Sequence, residues 1–346
     1  VNKKRISENL LMSTLFPQIE PGQRLVGIAR LAAAGEAVDE GHNVEYITLE
    51  NRSVLTRCLS PRMPFTWMIN PYRGCEFACK YCYARYTHEF MEMRDGLDFE
   101  RKIYVKQHTA WLLRQELKKV KAGEEIAIGT ATDPYQPAER RFGITREIMQ
   151  EFSRHRGFEI GLVTKSTLVL RDLELLKEIS ENNDLSVCIT VTTTRTDLAR
   201  ILEPRAPRPD LRLHAVQKLT EAGIHAGINC APVLPGITDS PADLDKVARA
   251  AAAAGARFLH VNPLFLKPCS EKVFMPFLEE KFPQLVKLYR ERYADRAYLP
   301  TEYHKRISTL MKKYREKYGI GLPDRRPPHR ATTPQELTEQ LDLFGT

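Results

Sequence analysis

The chain has 346 residues, 42% of them hydrophobic, which is enough to bury one large core or two modest ones. The run Ala248 to Ala256 is too short to span a bilayer and is broken by Arg249 and Gly255, and the start VNKKRISENLL lacks the apolar stretch of a secretory signal. An odd count of seven cysteines argues against a disulfide framework and for a reducing cytoplasm; the net charge of +8 suits a polyanionic partner without naming one.

Residues 1–60 read as an N-terminal extension with no assigned chemistry. Within it, EYITLENRSVLTRC has β-branched residues in short runs and predicts a strand or strap against the core. Cys58 reads there as a half-buried thiol. Next comes Asn70 to Tyr86, NPYRGCEFACKYCYARY, with Cys75, Cys79 and Cys82 in the spacing C-x3-C-x2-C. A disulfide joins only two of three thiols, whereas a metal site satisfies all of them. Zinc needs a fourth ligand, which His88 offers at an unusual spacing. A four-iron cluster held by three cysteines leaves one iron open instead.

From Trp67 onward, short apolar runs alternate with amphipathic stretches. The predicted strands are 66–70, 126–132, 159–164, 186–193, 225–233 and 257–265. The predicted helices are 109–121, 145–155, 171–182, 210–222 and 241–254. Six βα units require right-handed crossovers and a curved parallel sheet, open or closed, with chemistry at the carboxyl ends of the strands. The cysteine loop follows the first strand and therefore falls there.

Other polar residues fall at the same ends. Thr130, Thr132 and Asp133 close the second strand, where a plain Asp-Pro turn is the competing reading. Lys165 ends the third, as a buried ammonium needing a counter-charge or as a lysine reaching solvent at the rim. Thr190 and Thr192 end the fourth, where threonine is also a good strand former. The loop ILEPRAPRPD offers Arg205 and Arg208 to phosphates, or to surface salt bridges. Asn229 and Asn262 are polar residues in apolar surroundings. Cys188 and Cys230 lie on the fourth and fifth strands.

Residues 271–320 read as a helical cap ending at Gly319. Between 281 and 319 there are 11 Lys/Arg against 4 Asp/Glu, with tyrosines 289, 293, 298, 303, 314 and 318 interleaved. That pattern suits a nucleic-acid surface or a charged cap with its tyrosines packed inward. Residues 321–346 read as a linker and disordered tail ending in QELTEQLDLFGT. Gln340, Leu341, Leu343 and Phe344 resemble the peptide by which bacterial replication and repair proteins bind the sliding clamp. Leu337, Leu341 and Phe344 also recur at helical spacing and suit a return to the chain's own core.

The motif C-x3-C-x-aromatic-C, with Tyr81 as the aromatic, resembles the signature of radical S-adenosylmethionine (SAM) enzymes. NPYRGCEFACKYCYARYTHEF, GTATDPYQPAE, VTKS, Arg171-Asp172 and EPRAP together resemble the branch related to spore photoproduct lyases, also described as DNA repair photolyase-like proteins. The resemblance covers roughly residues 60 to 270. It implies a partial (βα)6 barrel over 61–270, a [4Fe-4S] cluster on Cys75, Cys79 and Cys82, and SAM on the open iron. It further implies a reductant protein such as flavodoxin or ferredoxin, and radical repair of damaged DNA. SAM contacts then fall to Thr130, Asp133, Lys165, Thr190, Thr192 and Asn229, and hydrogen return to Tyr81 and Tyr83. One departure stands out: the lyases carry a hydrogen-donor cysteine at the second strand, and here no cysteine lies between Cys82 and Cys188. RNA or a small molecule is the alternative substrate, and a zinc-stabilised adaptor without catalysis is the alternative of another class.

Overall fold

The computed structural model describes residues 25–321, apart from 42, 61, 62, 94 and 295. The tail peptide with Gln340, Leu341, Leu343 and Phe344 lies outside the described residues.

Two sheets organise the chain. The larger is built from β3 (Leu55–Arg57), β4 (Trp67–Ile69), β7 (Glu125–Ile128), β8 (Glu159–Thr164), β9 (Asp184–Thr190), β10 (His225–Val233) and β11 (Leu259–Pro263), in the order β11-β10-β9-β8-β7-β4-β3. All neighbours are parallel except β3, which runs antiparallel to β4 along one edge. The six parallel strands therefore follow chain order and remain open at β11, as a partial barrel. Ile126, Ile128, Leu162, Val187, Ile189, Ala226, Ile228 and Leu259 are wholly buried, which is why these strands read as apolar runs in the sequence.

Five of the predicted helices form almost where expected, at Thr109–Glu116, Ile144–Ser153, Leu173–Asn182, Pro209–Glu221 and Pro241–Ala253. Local chemistry explains the ends. Pro209 and Pro241 occupy first-turn positions, where a missing N–H costs nothing, and the Ser240 hydroxyl accepts from Asp243 N at 3.0 Å. Gly129, at φ +89°, shows why the second strand stops: a Cβ there would stand 2.5 Å from the Val163 carbonyl and 2.6 Å from Pro134 Cδ.

The smaller sheet comes from β1 (Ala37–Gly41), β2 (Val44–Leu49), β5 (Tyr72–Arg73) and β6 (Lys102–Lys106), in the order β1-β2-β6-β5. It makes the predicted strap of the N-terminal extension into a true strand and ties it to residues on both sides of the cysteine loop.

The cap comprises helices Pro268–Lys281, Val286–Tyr293 and Thr301–Tyr318, and Gly319 at φ +66° ends the last one. Tyr289, Tyr293, Tyr303 and Tyr314 are buried, so these rings serve packing and are closed to base stacking. Arg290, Arg306 and Lys317 are held by Glu279, Asp239 and Asp245. No helix among the described residues is long and apolar enough to cross a membrane.

Candidate active site

The cysteine loop leaves β4 and is built by backbone and side-chain clasps. Gly74, at φ +84°, lies so close to the Lys102 and Phe99 carbonyls that a Cβ would sit 2.7–2.8 Å from them, and Cys75 N donates to Phe99 O at 2.9 Å. Ala78 adopts the left-handed conformation, φ +55°, between two of the cysteines. The buried Arg85 guanidinium donates to the Cys79 carbonyl at 3.1 Å, to the Gly96 carbonyl at 2.5 Å and to Glu100 at 2.7 Å. Ser270, from the cap, donates to the Cys82 carbonyl at 2.8 Å.

The segment after β7 fastens the other side. Thr132 donates to the Gly74 carbonyl at 2.6 Å, Gln136 accepts from Glu76 N at 2.9 Å, and Glu76 accepts from Ala138 N at 2.7 Å. Asn70 accepts from Ala131 N at 2.7 Å and bonds the Thr130 hydroxyl at 3.1 Å. Asp133 accepts from Thr164 Oγ1 at 2.6 Å, from Lys165 N at 2.7 Å and from Tyr135 N at 3.0 Å. Thus Thr130 and Asp133 lie at the strand ends as expected, with Asp133 joining β7 to β8. Burial raises its pKa despite those donors.

The cysteines are free thiols, Cys75 and Cys79 buried and Cys82 half-buried. Burial pushes the Cys75 thiol well up and the Cys79 thiol to about 12, the latter against the pull of Lys165. Buried thiols become ligands when metal supplies the positive charge that the site lacks. His88 takes no part: its Nε2 faces the Lys102 carbonyl at 3.1 Å, and its ring meets Phe99 and Tyr104 edge-on. Among the described residues, no three His, Cys, Asp or Glu side chains are arranged around a single-ion site.

Beside the cysteines runs a buried polar chain. Tyr81 OH donates to Glu203 and lies 3.1 Å from Thr192 Oγ1, which donates to Glu203 at 2.8 Å. Glu203 pairs with Arg212 at 2.5 Å, and Arg212 donates to the Pro207 carbonyl at 2.6 Å and the Thr190 carbonyl at 3.2 Å. Lys165 places its ammonium 5.8 Å from the Tyr81 ring centre. Burial opposes the Glu203 charge, but Arg212 and Lys165 outweigh it and lower its pKa. Burial likewise opposes the Lys165 charge, and Cys79 and Glu203 reverse the net shift. Thr192 therefore faces this chain, while Thr193 turns to accept from Arg195 N at 3.1 Å. Thr190 is buried, and Asn229 leaves its buried Oδ1 without a partner.

Glu203 and Arg212 escaped the sequence reading, which fixed on Arg205 and Arg208 of the same loop. Those two are exposed, and Arg208 is held by Asp210 at 2.7 Å. The available signal was Glu203 in EPRAP together with an arginine on an otherwise apolar helix face. Cys188 and Cys230 are buried, with thiols pushed up to about 12 by burial.

On the opposite side of Cys82 the loop opens to solvent. Tyr83 is 40% exposed, and its hydroxyl donates to the Thr130 carbonyl. Its ring lies 6.2 Å from Phe265, which stacks on Tyr298 at 4.2 Å and 23°; Tyr298 is 42% exposed. Lys267 places its ammonium 3.6 Å over the Tyr86 ring and 5.7 Å from Phe265.

The sequence profile of the radical SAM superfamily matches residues 69–249, which span β4 to the helix before β11. This chain belongs to the radical SAM superfamily. An uncharacterized protein of Mycobacterium tuberculosis is 38% identical over 287 residues, covering 82% of this chain and 83% of its own length. An uncharacterized protein of Methanocaldococcus jannaschii is 28% identical, covering 71% of this chain and 86% of its own. Among solved structures, a spore photoproduct lyase mutant with bound AdoMet and dinucleoside spore photoproduct superposes with a TM-score of 0.61 at 15% identity over 91% of both chains. That likeness is one of fold. The superfamily's cofactors are the [4Fe-4S] cluster and SAM.

Proposed function

We propose that this radical SAM enzyme acts on a nucleobase of damaged or modified DNA, in a lyase-type repair reaction akin to that of spore photoproduct lyase. The observation that carries the reading is the exposed ladder Tyr83–Phe265–Tyr298 with Lys267 beside it, standing at the strand ends next to the cysteine loop. Aromatic faces take bases by stacking at about 1–3 kcal/mol each, and a flanking ammonium takes phosphate.

When bound, the cluster and SAM would supply radical chemistry that abstracts hydrogen from substrate. The protein's own residues divide the remaining work. Lys165 and the unpaired Asn229 amide oxygen hold the polar groups of SAM, with Thr190 and Thr192 lining the same side. The Tyr81 phenol is fixed by Glu203, and burial and that carboxylate raise its pKa well above 10.0, so it stays a protonated hydroxyl. Tyr83, open to the ladder and anchored on Thr130, is the hydroxyl placed to return hydrogen where the lyases use a second-strand cysteine. The tail peptide Gln340 to Phe344 would bring the enzyme to a sliding clamp, and deleting it should end clamp pull-down while sparing SAM cleavage.

The test is anaerobic reconstitution with iron and sulfide, SAM and dithionite, followed by chromatography for deoxyadenosine and for products of irradiated DNA. Deoxyadenosine formed together with repaired thymines supports the proposal. Deoxyadenosine whose yield ignores every DNA substrate, but rises with RNA or a small metabolite, would replace the substrate.

A further inference from the structure

The smaller sheet carries a polar anomaly remote in kind from the radical chemistry. In the registers of β2, β6 and β5, Leu49 pairs Lys106, Ile47 pairs Tyr104, and Arg73 faces Tyr104. Alternation then puts Ile47, Leu49, Arg73, Tyr104 and Lys106 on one face. That face packs under the helix Gly27–Ala33 through Ile28, Leu31 and Ala32. A lysine has no ordinary place in such a layer. Lys106 is nevertheless only 8% exposed. One oxygen of the nearby Glu116 carboxylate accepts from Val54 N and Leu55 N, both at 2.8 Å, and the other lies 3.9 Å from the Lys119 ammonium.

Lys106 instead lines a cavity of about 570 Å³, within the range of small-molecule sites, roughly 300–1,000 Å³. Arg30, Arg52 and Arg73 line it too, and no carboxylate does among the described residues. Two orphans stand among them: Arg73 Nε, and both amide atoms of Asn51, are buried without partners. Buried donors left unpaired are costly, more so when charged, so their gathering at one cavity calls for a ligand.

We propose that this cavity binds a phosphate monoester of mononucleotide size, its phosphoryl oxygens on Lys106 and Arg73 and its organic body against Asn51, Leu49 and Leu31. Four cations without a carboxylate favour a dianionic phosphoryl group over a carboxylate, and a guanidinium fork matches its oxygens. Burial beside Arg73 lowers the Lys106 pKa to about 7 against the pull of Glu116, as expected of an ammonium whose counter-anion is a ligand. The phosphoryl group comes from a free mononucleotide or from the 5′-phosphate end of a nucleic acid strand.

Calorimetry on the full chain, with SAM saturating, would use AMP, adenosine, inorganic phosphate, citrate and a short oligonucleotide with or without a 5′-phosphate. AMP should bind, inorganic phosphate should displace it, and adenosine should bind at least tenfold more weakly. Lys106→Met and Asn51→Leu should each weaken AMP at least tenfold. Arg52→Ala, at an exposed position that leaves the core intact, should weaken it a few-fold. A 5′-phosphorylated oligonucleotide that outcompetes AMP assigns the phosphate to a strand end; one that does not assigns it to a free nucleotide. Adenosine or citrate binding as tightly as AMP, or AMP affinity untouched by both Lys106→Met and Arg52→Ala, would overturn the proposal.

Discussion

The two sides of Cys82 are built by opposite means. On one, Tyr81 is sealed into a chain with Thr192, Glu203 and Arg212 in which every member is buried. On the other, Tyr83 stands at the open end of an aromatic ladder and keeps only its hydroxyl tied down. Two tyrosines one residue from Cys82 thus have opposite surroundings. The buried side fixes geometry and charge, and the open side leaves aromatic faces to solvent.

Breaking the loop between them should have the largest effect. Replacing any of Cys75, Cys79 or Cys82 by alanine is expected to abolish both iron–sulfur absorbance and deoxyadenosine formation while the fold survives, as judged by circular dichroism. Next comes the buried side. Glu203→Gln leaves Arg212 charged and uncompensated inside the protein, and losing one partner of a buried pair typically costs about 3–5 kcal/mol. Denaturant titration should show that loss, and Tyr83→Phe should not.

A third test separates the loop's support from its ligands. Burial lowers the His88 pKa to about 4, so the ring is neutral in the fold. Because that value lies below the usual 6.5, His88 contributes its full stabilisation above pH 6.5. The contribution declines as pH falls from 6.5 toward 4, by on the order of 3 kcal/mol in total. Urea melts across that range should show a decline that His88→Gln flattens, with metal content unchanged by the substitution. The smallest effect belongs to the open side. Tyr298→Ala should weaken DNA substrate binding by about 1–3 kcal/mol per lost stack, read in KM, while SAM cleavage without substrate stays the same.

The barrel was legible because parallel strands covered on both faces become apolar runs, and β8 and β10 fall on the predicted residues. Lys102–Lys106 was not legible as a strand: three apolar residues between lysines say little alone, and its partner β2 lies more than fifty residues earlier. The cysteines declared themselves by spacing. Glu203 and Arg212 did not, since sequence shows a charge but not its burial, and the more conspicuous Arg205 and Arg208 face water. In the cap the tyrosines were visible and their direction was not; four of the six turn inward. Spacing reports cysteines that share a loop, whereas pairs made by folding carry no local sign.

We propose that Cys75, Cys79 and Cys82 would hold one cluster and leave its open iron to SAM. Anaerobic reconstitution followed by metal and sulfide analysis and a SAM cleavage assay tests this directly. The expected result is iron and sulfide in the ratio of one [4Fe-4S] cluster per chain, with deoxyadenosine formed only in the presence of reductant. A chain that takes up a single zinc ion, or that binds iron and leaves SAM intact, would contradict it.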